Sequence, residues 1–414
     1  MTLQVIVGGQ FGSEGKGAIA AHLAKELPDL LAVRVAGPNA GHTVIGRCPS
    51  TCPERNTADG IGGHHPEAHP WRLRSVPVAA VTREDAILAL GPGSEIDPSV
   101  TLGEIGELDD AGYRVSQRLW VDYTATVIEP KHQQIEQACR SDVEAEPDFA
   151  HSLVTAIGST GKGIGAARAD RAMRTAQLVE NNREGWPFAT TDVGDFLRQR
   201  LAIGGNVQIE GTQGYGLGQH AGFYPYCTSS DCTAVDFLAM AGCPPWLAAP
   251  DDLEIWVVYR TLPIRVAGNS GPLRHETTWE QVGQPEEYTT VTRKVRRVGL
   301  WDAVLARRAF LANGHQTGRA NVFAALTMAD YLAPGLAGCR DLGEIPDQSV
   351  HDQFDQIVSR YSKDIGALIR IVGTGPASVI DLRSSATNGS RRIVTAGRQS
   401  PDGPIEPRKE GYLA

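Results

Sequence analysis

The chain has 414 residues, a formal net charge of −9 at pH 7 and an isoelectric point near 5.7. Hydrophobic residues make up 41% and charged residues 21%, enough for a sizeable core and too apolar for a mainly disordered chain. The acidic balance argues against nucleic acid held by bulk electrostatics, and no apolar run approaches the roughly 18 residues of a membrane helix.

The first element is a strand, Leu3 to Val7, followed by a Gly-rich turn, a helix pattern from Ala18 to Leu27 and a strand from Leu31 to Ala36. This βαβ opening predicts an α/β fold with a large, mainly parallel sheet flanked by helices. Residues 46–72 carry Cys, Pro, Gly and His with little periodicity and read as an inserted loop. Strand-like runs resume at Val76–Val81 and Ala86–Leu90, then a helix at Val100–Gly112 and a strand at Leu119–Val121. Residues 130–185 read as mostly helical, interrupted by Gly158 to Gly165. A helix at Val193–Leu201 and a buried strand at Val207–Glu210 lead into residues 211–232, whose length and composition suit a binding loop. Strands at Ile255–Tyr259 and Val322–Thr327, a helix at Leu300–Asn313 and a run from Ala367 to Val372 complete the pattern.

At roughly 100–200 residues per domain, the length allows about two to four domains or one large one. One domain over residues 1–393 with a polar tail at 394–414 is expected. Leu3 to Val7 is too short for a signal h-region and no basic n-region precedes it, so a cytoplasmic location is expected. Seven scattered cysteines suit reduced thiols better than a disulfide framework.

Two Gly-rich loops carry chemistry. Gly9-Gln10-Phe11-Gly12-Ser13-Glu14-Gly15-Lys16-Gly17 lies between the first strand and the first helix. Backbone N–H groups in such a loop can curl around phosphate oxygens, with the helix N-terminus and Lys16 adding positive charge. The spacing is one residue longer than the usual P-loop, and Gly17 replaces the hydroxyl residue that normally holds magnesium. The second loop, Gly158-Ser159-Thr160-Gly161-Lys162-Gly163-Ile164-Gly165, is similar but lacks a clear βαβ context. A flexible turn is the simplest reading of it alone.

Taken together, the loops resemble those of the adenylosuccinate synthetases. Gly9 to Gly17 matches that family's opening motif. In family order follow Asn39-Ala40-Gly41-His42-Thr43, Gly158 to Gly165, Glu210 to Gly214, Tyr224 to Ser230, the basic run Thr290 to Gly299, and Gly373-Thr374-Gly375-Pro376. The resemblance spans about residues 3–376. It implies a homodimer with active sites at the interface, and a ligase that joins aspartate to a purine nucleotide. The γ-phosphate of a nucleoside triphosphate moves to the purine O6, and the aspartate amine then displaces it at C6. That chemistry needs a donor to O6, a base for N1 and a magnesium ion among the phosphates.

By resemblance, His42 is the acid partner of O6, Lys16 the phosphate cation, and the Gly41 carbonyl a magnesium ligand. Asn39, Thr160, Gln213, Thr228 and Thr290 match contacts to the nucleotide substrate, and Arg174 matches an arginine given across the dimer to its phosphate. Gly12, Gly15, Gly17, Thr43, Gly373, Gly375 and Pro376 match the triphosphate site. Arg296 and Arg297 fall in the basic loop that binds aspartate, with Arg296 also toward the triphosphate. An arginine fork suits a dicarboxylate. Arg293, Lys294 and Val295 depart from the family pattern there, and a solvated basic face is the alternative.

Ser13 is the largest departure. The family has Asp at this place, as both N1 base and magnesium ligand, and a serine hydroxyl is a poor base near neutral pH. Serine resembles the branch of phage 2-aminoadenylosuccinate synthetases, which act on dGMP to supply 2-aminoadenine for DNA. A small neutral hydroxyl leaves room for a purine 2-amino group and can accept its hydrogen bond. Ordinary IMP (or GMP) chemistry and a silent nucleotide-binding homologue are the alternatives. Water, Glu14 or late loss of the proton are the candidates to replace the base. Asp330, in Leu326-Thr327-Met328-Ala329-Asp330, resembles the family's guanine-recognition aspartate and favours GTP, whereas the phage branch is associated with ATP. Both donors stay open. Cys48, Cys52, His64, His65 and His69 could hold zinc, but their spacing fits no common zinc module and a coincidental Cys/His-rich insertion is expected.

Overall fold

The computed structural model describes residues 1–383 apart from 36, 51–67, 139–151, 182–185, 187, 290–292 and 316. Short apolar runs form one ten-stranded sheet. Its strands are β1 (Leu3–Gly8), β2 (Leu30–Arg34), β3 (Ile87–Leu90), β4 (Leu119–Asp122), β5 (Ala189–Thr191), β6 (Asn206–Glu210), β7 (Leu253–Arg260), β8 (Asn321–Thr327), β9 (Ile369–Gly375) and β10 (Ser378–Asp381). The order across the sheet is β10-β9-β8-β7-β1-β6-β2-β3-β4-β5. All neighbours are parallel except β9 and β10.

Every residue of β1, β2 and β6 is buried, as expected for central parallel strands covered on both faces. Side chains alternate between the two faces. Leu3, Val5 and Val7 pack into a core with α7 (Val193–Ala202), α8 (Ala234–Met240), α9 (Ala303–Ala312) and α10 (Gln348–Ile365). Ile6 points the other way, into a core with α1 (Lys16–Ala24), α2 (Ala79–Thr82) and α3 (Pro98–Asp110). Each fully buried aliphatic side chain contributes about 1.5–3 kcal/mol. α10 buries Phe354, Ile357, Tyr361 and Ile365, a helical stripe. Asp347 caps its start through the Val350 N–H, and Gly366, at φ 85°, ends it.

Three segments differ from the sequence reading. Val76–Val81 is not a strand: the chain bends at Val76, Val78 is already in the right-handed helical region (φ −62°, ψ −22°), and Ala79–Thr82 closes into a helical turn. A short buried apolar run has the same composition in either state. Of residues 130–185, α4 (Pro130–Gln137), α5 (Leu153–Ala156) and α6 (Ile164–Met173) are α-helical among the described residues, with a 3-10 turn at 179–181. The expected loop at 46–72 ends in a strand, His69–Leu73, which pairs antiparallel with His42–Gly46. Its Trp71 is buried and stacks edge-on to Tyr113. The polar tail lies outside the described residues.

Candidate active site

Because the sheet is parallel, the C-terminal ends of its central strands open at one edge, where α/β proteins bind ligands. The sequence motifs sit there. β1 runs into Gly9–Gly17, β2 into the loop carrying Asn39 to His42, and β6 into Gly211–Gly214. β7 ends in Arg260 and β8 in Thr327, followed by Met328 and Asp330.

Close packing joins these loops. A Cβ on Gly8 would lie 2.4 Å from the Gln213 carbonyl oxygen, and one on Gly17 would lie 2.7 Å from the Thr43 carbonyl oxygen and 2.9 Å from the His42 Cβ. Gly15, at φ 79°, caps α1 in the left-handed region and packs on Thr327. Gly373 packs on Thr327 from the other side, and the Thr327 hydroxyl donates to the Glu14 carbonyl at 2.7 Å. Gly12 approaches Gln213 and Leu217, and the Leu217 carbonyl accepts from the Thr228 N–H at 2.7 Å. Arg168 of α6 donates to the Ser229 carbonyl at 3.1 Å, so the loops around Thr228 and Thr160 are neighbours. Thr160 and Asn39 are both half-buried.

Within the first loop, Glu14 is fully buried and works internally. One carboxylate oxygen accepts from the N–H groups of Gln10 (3.1 Å) and Gly12 (2.8 Å). The other takes the Lys16 ammonium at 2.6 Å, and Lys16 also donates to the Gln213 carbonyl. Ser13 is exposed, at φ 58°, and its carbonyl accepts from Arg260 at 3.3 Å.

His42 is buried, with Nδ1 2.5 Å from Glu210 Oε1. Arg34, the register neighbour of Glu210, donates to the same oxygen at 3.0 Å and to the Ala40 carbonyl at 2.8 Å. The Val78 N–H closes the other carboxylate oxygen at 2.9 Å. The His42 pKa is lowered to about 4, by burial first and by Arg34 next, with Glu210 opposing both. For Glu210, burial raises the pKa, but His42 and Arg34 outweigh it and the net shift is downward.

A second charged knot lies beside Ser13. Glu287 accepts from both terminal nitrogens of fully buried Arg260, from Arg296 at 3.2 Å and from the Tyr331 hydroxyl at 3.0 Å. One Oδ of the neighbouring Asp330 is buried without a partner, and burial raises its carboxyl pKa.

The remaining candidates divide. Gly41 and Thr43 flank His42, with Thr43 exposed, and Gly375 and Pro376 lie at the β9–β10 turn. Arg297 is engaged elsewhere: it pairs with Glu276 and donates to the Ser270 hydroxyl and the Gly271 carbonyl. Arg174 ends α6, which puts it about 15 Å along the helix from the Thr160 loop, exposed, with its side chain donating to the Ala172 carbonyl at 3.4 Å. Thr290 lies outside the described residues, as do Cys52, His64 and His65. Cys48 Sγ is 3.8 Å from His69 Nδ1.

The sequence reading missed Arg34, Arg260 and Glu287. Arg34 closes an otherwise apolar buried strand and Arg260 ends the buried run that follows Glu254, a signal open to use. Glu287 had none, because its three partners come from separate segments.

The adenylosuccinate synthetase family model matches residues 5–185 and 177–333. The adenylosuccinate synthetase of Pyrococcus sp. (strain ST700) is 32% identical over 390 residues, spanning 93% of this chain and 100% of that protein. That of Methanocaldococcus jannaschii is 34% identical over 389 residues, spanning 93% and 98%. Among solved structures, the succinoaminodeoxyadenylate synthetase of cyanophage S-2L, bound to dGMP and dATP as an energy donor, superposes with TM-score 0.69 and 28% identity, over 93% of this chain and 96% of that one. The fully ligated adenylosuccinate synthetase of Plasmodium falciparum gives TM-score 0.71 at 19% identity, over 92% and 100%, and speaks for the fold alone. The loops gathered at the strand ends and these matches place the chain in the adenylosuccinate synthetase family, as a C–N ligase that uses a nucleoside triphosphate.

Proposed function

We propose that this ligase joins L-aspartate to C6 of dGMP, with ATP or GTP as phosphoryl donor. The product is 2-amino-2′-deoxyadenylosuccinate, a precursor of 2-aminoadenine for DNA. The observation that carries the reading is Ser13, exposed on the phosphate loop where the family places Asp. Its hydroxyl offers an acceptor to a 2-amino group without the bulk and charge of a carboxylate. The 28% identity to a cyanophage enzyme solved with dGMP supports it.

In this reading the loops divide the work. The start of α1 and Lys16 face the triphosphate, with Gly12, Gly17, Thr43 and the β9–β10 turn around them. Asn39, Thr160, Thr228 and Gln213 hold the nucleotide substrate. His42 hydrogen-bonds O6 while the γ-phosphoryl bond to the donor breaks and a P–O6 bond forms. Then aspartate, its carboxylate held by Arg296, attacks C6 through its neutral amine; the C6–O6 bond breaks, inorganic phosphate leaves and the amine gives up a proton to it or to water. Two of the nearby carboxylates, Glu14 and Glu210, are filled by internal partners. The Glu14 contacts speak against it as the N1 base and leave water at Ser13, or loss of the proton after phosphorylation.

Ser13 and the Gly41 carbonyl are neutral oxygen donors, which suits a magnesium ion held mainly by triphosphate oxygens. When bound, magnesium supplies charge neutralisation for phosphoryl transfer. Arg174 points to a homodimer, in which it reaches the partner's substrate phosphate.

The test is phosphate release and product mass with aspartate, magnesium and ATP or GTP, offering dGMP, GMP, dIMP or IMP. A succinylated 2-aminopurine deoxynucleotide as the main product supports the proposal. Dominant turnover of IMP overturns it in favour of an ordinary adenylosuccinate synthetase. Nucleotide binding without any turnover favours a silent homologue.

A further inference from the structure

The second Gly-rich loop has a helix N-terminus behind it, but two of its amide groups, those of Gly163 and Gly165, are already taken. Glu136 of α4 is 4% exposed. Its Oε2 accepts from the Gly163 N–H at 2.8 Å and from the Ser159 hydroxyl at 3.4 Å, and its Oε1 accepts from the Gly165 N–H at 2.7 Å. Gly163 is the N-cap of α6, at φ 82°. A carboxylate thus sits where a phosphate sits in a true phosphate loop. Gln137 of the same helix donates to the Gly161 carbonyl at 2.9 Å, and the Ser159 hydroxyl accepts from the Gly161 N–H at 3.2 Å. The loop is packed tightly on α4: a Cβ on Gly163 would lie 2.8 Å from the His132 Cβ and 2.9 Å from the Gln133 nitrogen. Among the described residues, nothing bonds the Thr160 side chain.

We propose that Glu136 is a positioning residue for the nucleotide substrate. It fills the anion-binding end of α6 from inside the protein, so this loop is not a second phosphate loop of the amide-cradle kind. The filled cradle fixes the turns on either side of Gly161 and leaves the Thr160 side chain to meet the nucleotide. Through α6, the same contacts set Arg168 against the Ser229 carbonyl, next to Thr228. This assignment rests on the reading that Thr160 contacts the nucleotide substrate.

The experiment compares Glu136→Gln, Glu136→Ala and Thr160→Val in steady-state kinetics on dGMP and IMP. Glu136→Gln keeps the shape but sets an amide N–H2 against one of the two backbone N–H groups. It should raise the KM for the acceptor nucleotide about tenfold or more, with the triphosphate KM held within about twofold. Glu136→Ala should show the same split and be partly rescued by millimolar formate, which restores a carboxylate to the cradle. Thr160→Val should also raise the acceptor KM. A native acceptor KM in Glu136→Gln, beside a raised one in Thr160→Val, overturns the role of Glu136 alone. A uniform loss across all substrates without formate rescue also overturns it, because it marks a merely structural residue. A native KM in Thr160→Val overturns the reading of the loop, and this assignment with it.

Discussion

His42 Nδ1 and Arg34 meet on the same oxygen of Glu210, at 2.5 and 3.0 Å. A carboxylate already paired with Arg34 accepts the Nδ1 proton and fixes the tautomer of the neutral ring, leaving Nε2 for the ligand side. A ring with a pKa near 4 is neutral at working pH, and negative charge arriving with the phosphates would draw a proton onto Nε2. Glu210→Gln should therefore lower kcat by about 10²-fold or more while the nucleotide KM values stay close to native. Steady-state kinetics with each substrate varied in turn checks this. A raised KM with unchanged kcat would count against His42 as the partner of O6.

The same histidine gives a stability signature. Its folded pKa, about 4, lies below the usual 6.5. Between those values the unfolded chain binds a proton that the folded chain does not, so acid favours unfolding. The loss grows as pH falls from about 6.5 to about 4 and reaches up to about 3 kcal/mol. Glu210, held below the usual carboxylate value, adds a loss of the same sign at lower pH. Urea unfolding at several pH values should show this slope, and His42→Gln should flatten it between pH 6.5 and 4.

Most of the sheet was legible because central parallel strands are short, buried and largely apolar runs. The loop motifs at Gly9–Gly17, Asn39–Thr43 and Glu210–Gly214 were legible because each follows such a strand, whereas Gly158–Gly165 follows α5 and was legible only beside the others. What escaped was what register and packing decide. Glu210 and Arg34 are 176 residues apart and meet only because β6 and β2 pair in that register. Val76–Val81 failed as a strand because burial alone does not choose between strand and helix. Lys16 was read as a phosphate cation from its place in the loop, and its bond to Glu14 depends on how the loop folds back on itself.

Ser13 and Arg260 set a selectivity test. The Ser13→Asp variant places a carboxylate where the purine C2 edge is expected, beside a buried arginine that already pairs with Glu287. The preference for dGMP over IMP should fall by about tenfold or more in kcat/KM, through loss of dGMP turnover and gain of IMP turnover. Unchanged selectivity would remove Ser13 from the account of substrate choice.

Asp330 bears on the triphosphate. A half-buried carboxylate with one unpartnered oxygen is set to accept from donors such as guanine N1–H and N2–H. Asp330→Asn should cost GTP about tenfold in kcat/KM and leave ATP nearly unaffected. Equal losses on both donors would mean that Asp330 serves the turn alone.

Arg174 gives the test of the dimer. It sits exposed at the far end of α6 from Thr160, so within one chain it does not reach the phosphate site through its own helix. Supplied by a partner, it would make each site depend on two chains. The variants His42→Asn and Arg174→Ala should each be nearly inactive alone. Mixed in equal amounts under conditions that exchange subunits, half of the dimers become hybrids, and each hybrid holds one complete site. Activity should return to about a quarter of the native level in a two-fold symmetric dimer. If Arg174 serves its own chain, the hybrids hold no complete site and mixing restores nothing. If Arg174→Ala is fully active alone, the arginine belongs to the helix surface, and the dimer must be sought by its mass in solution.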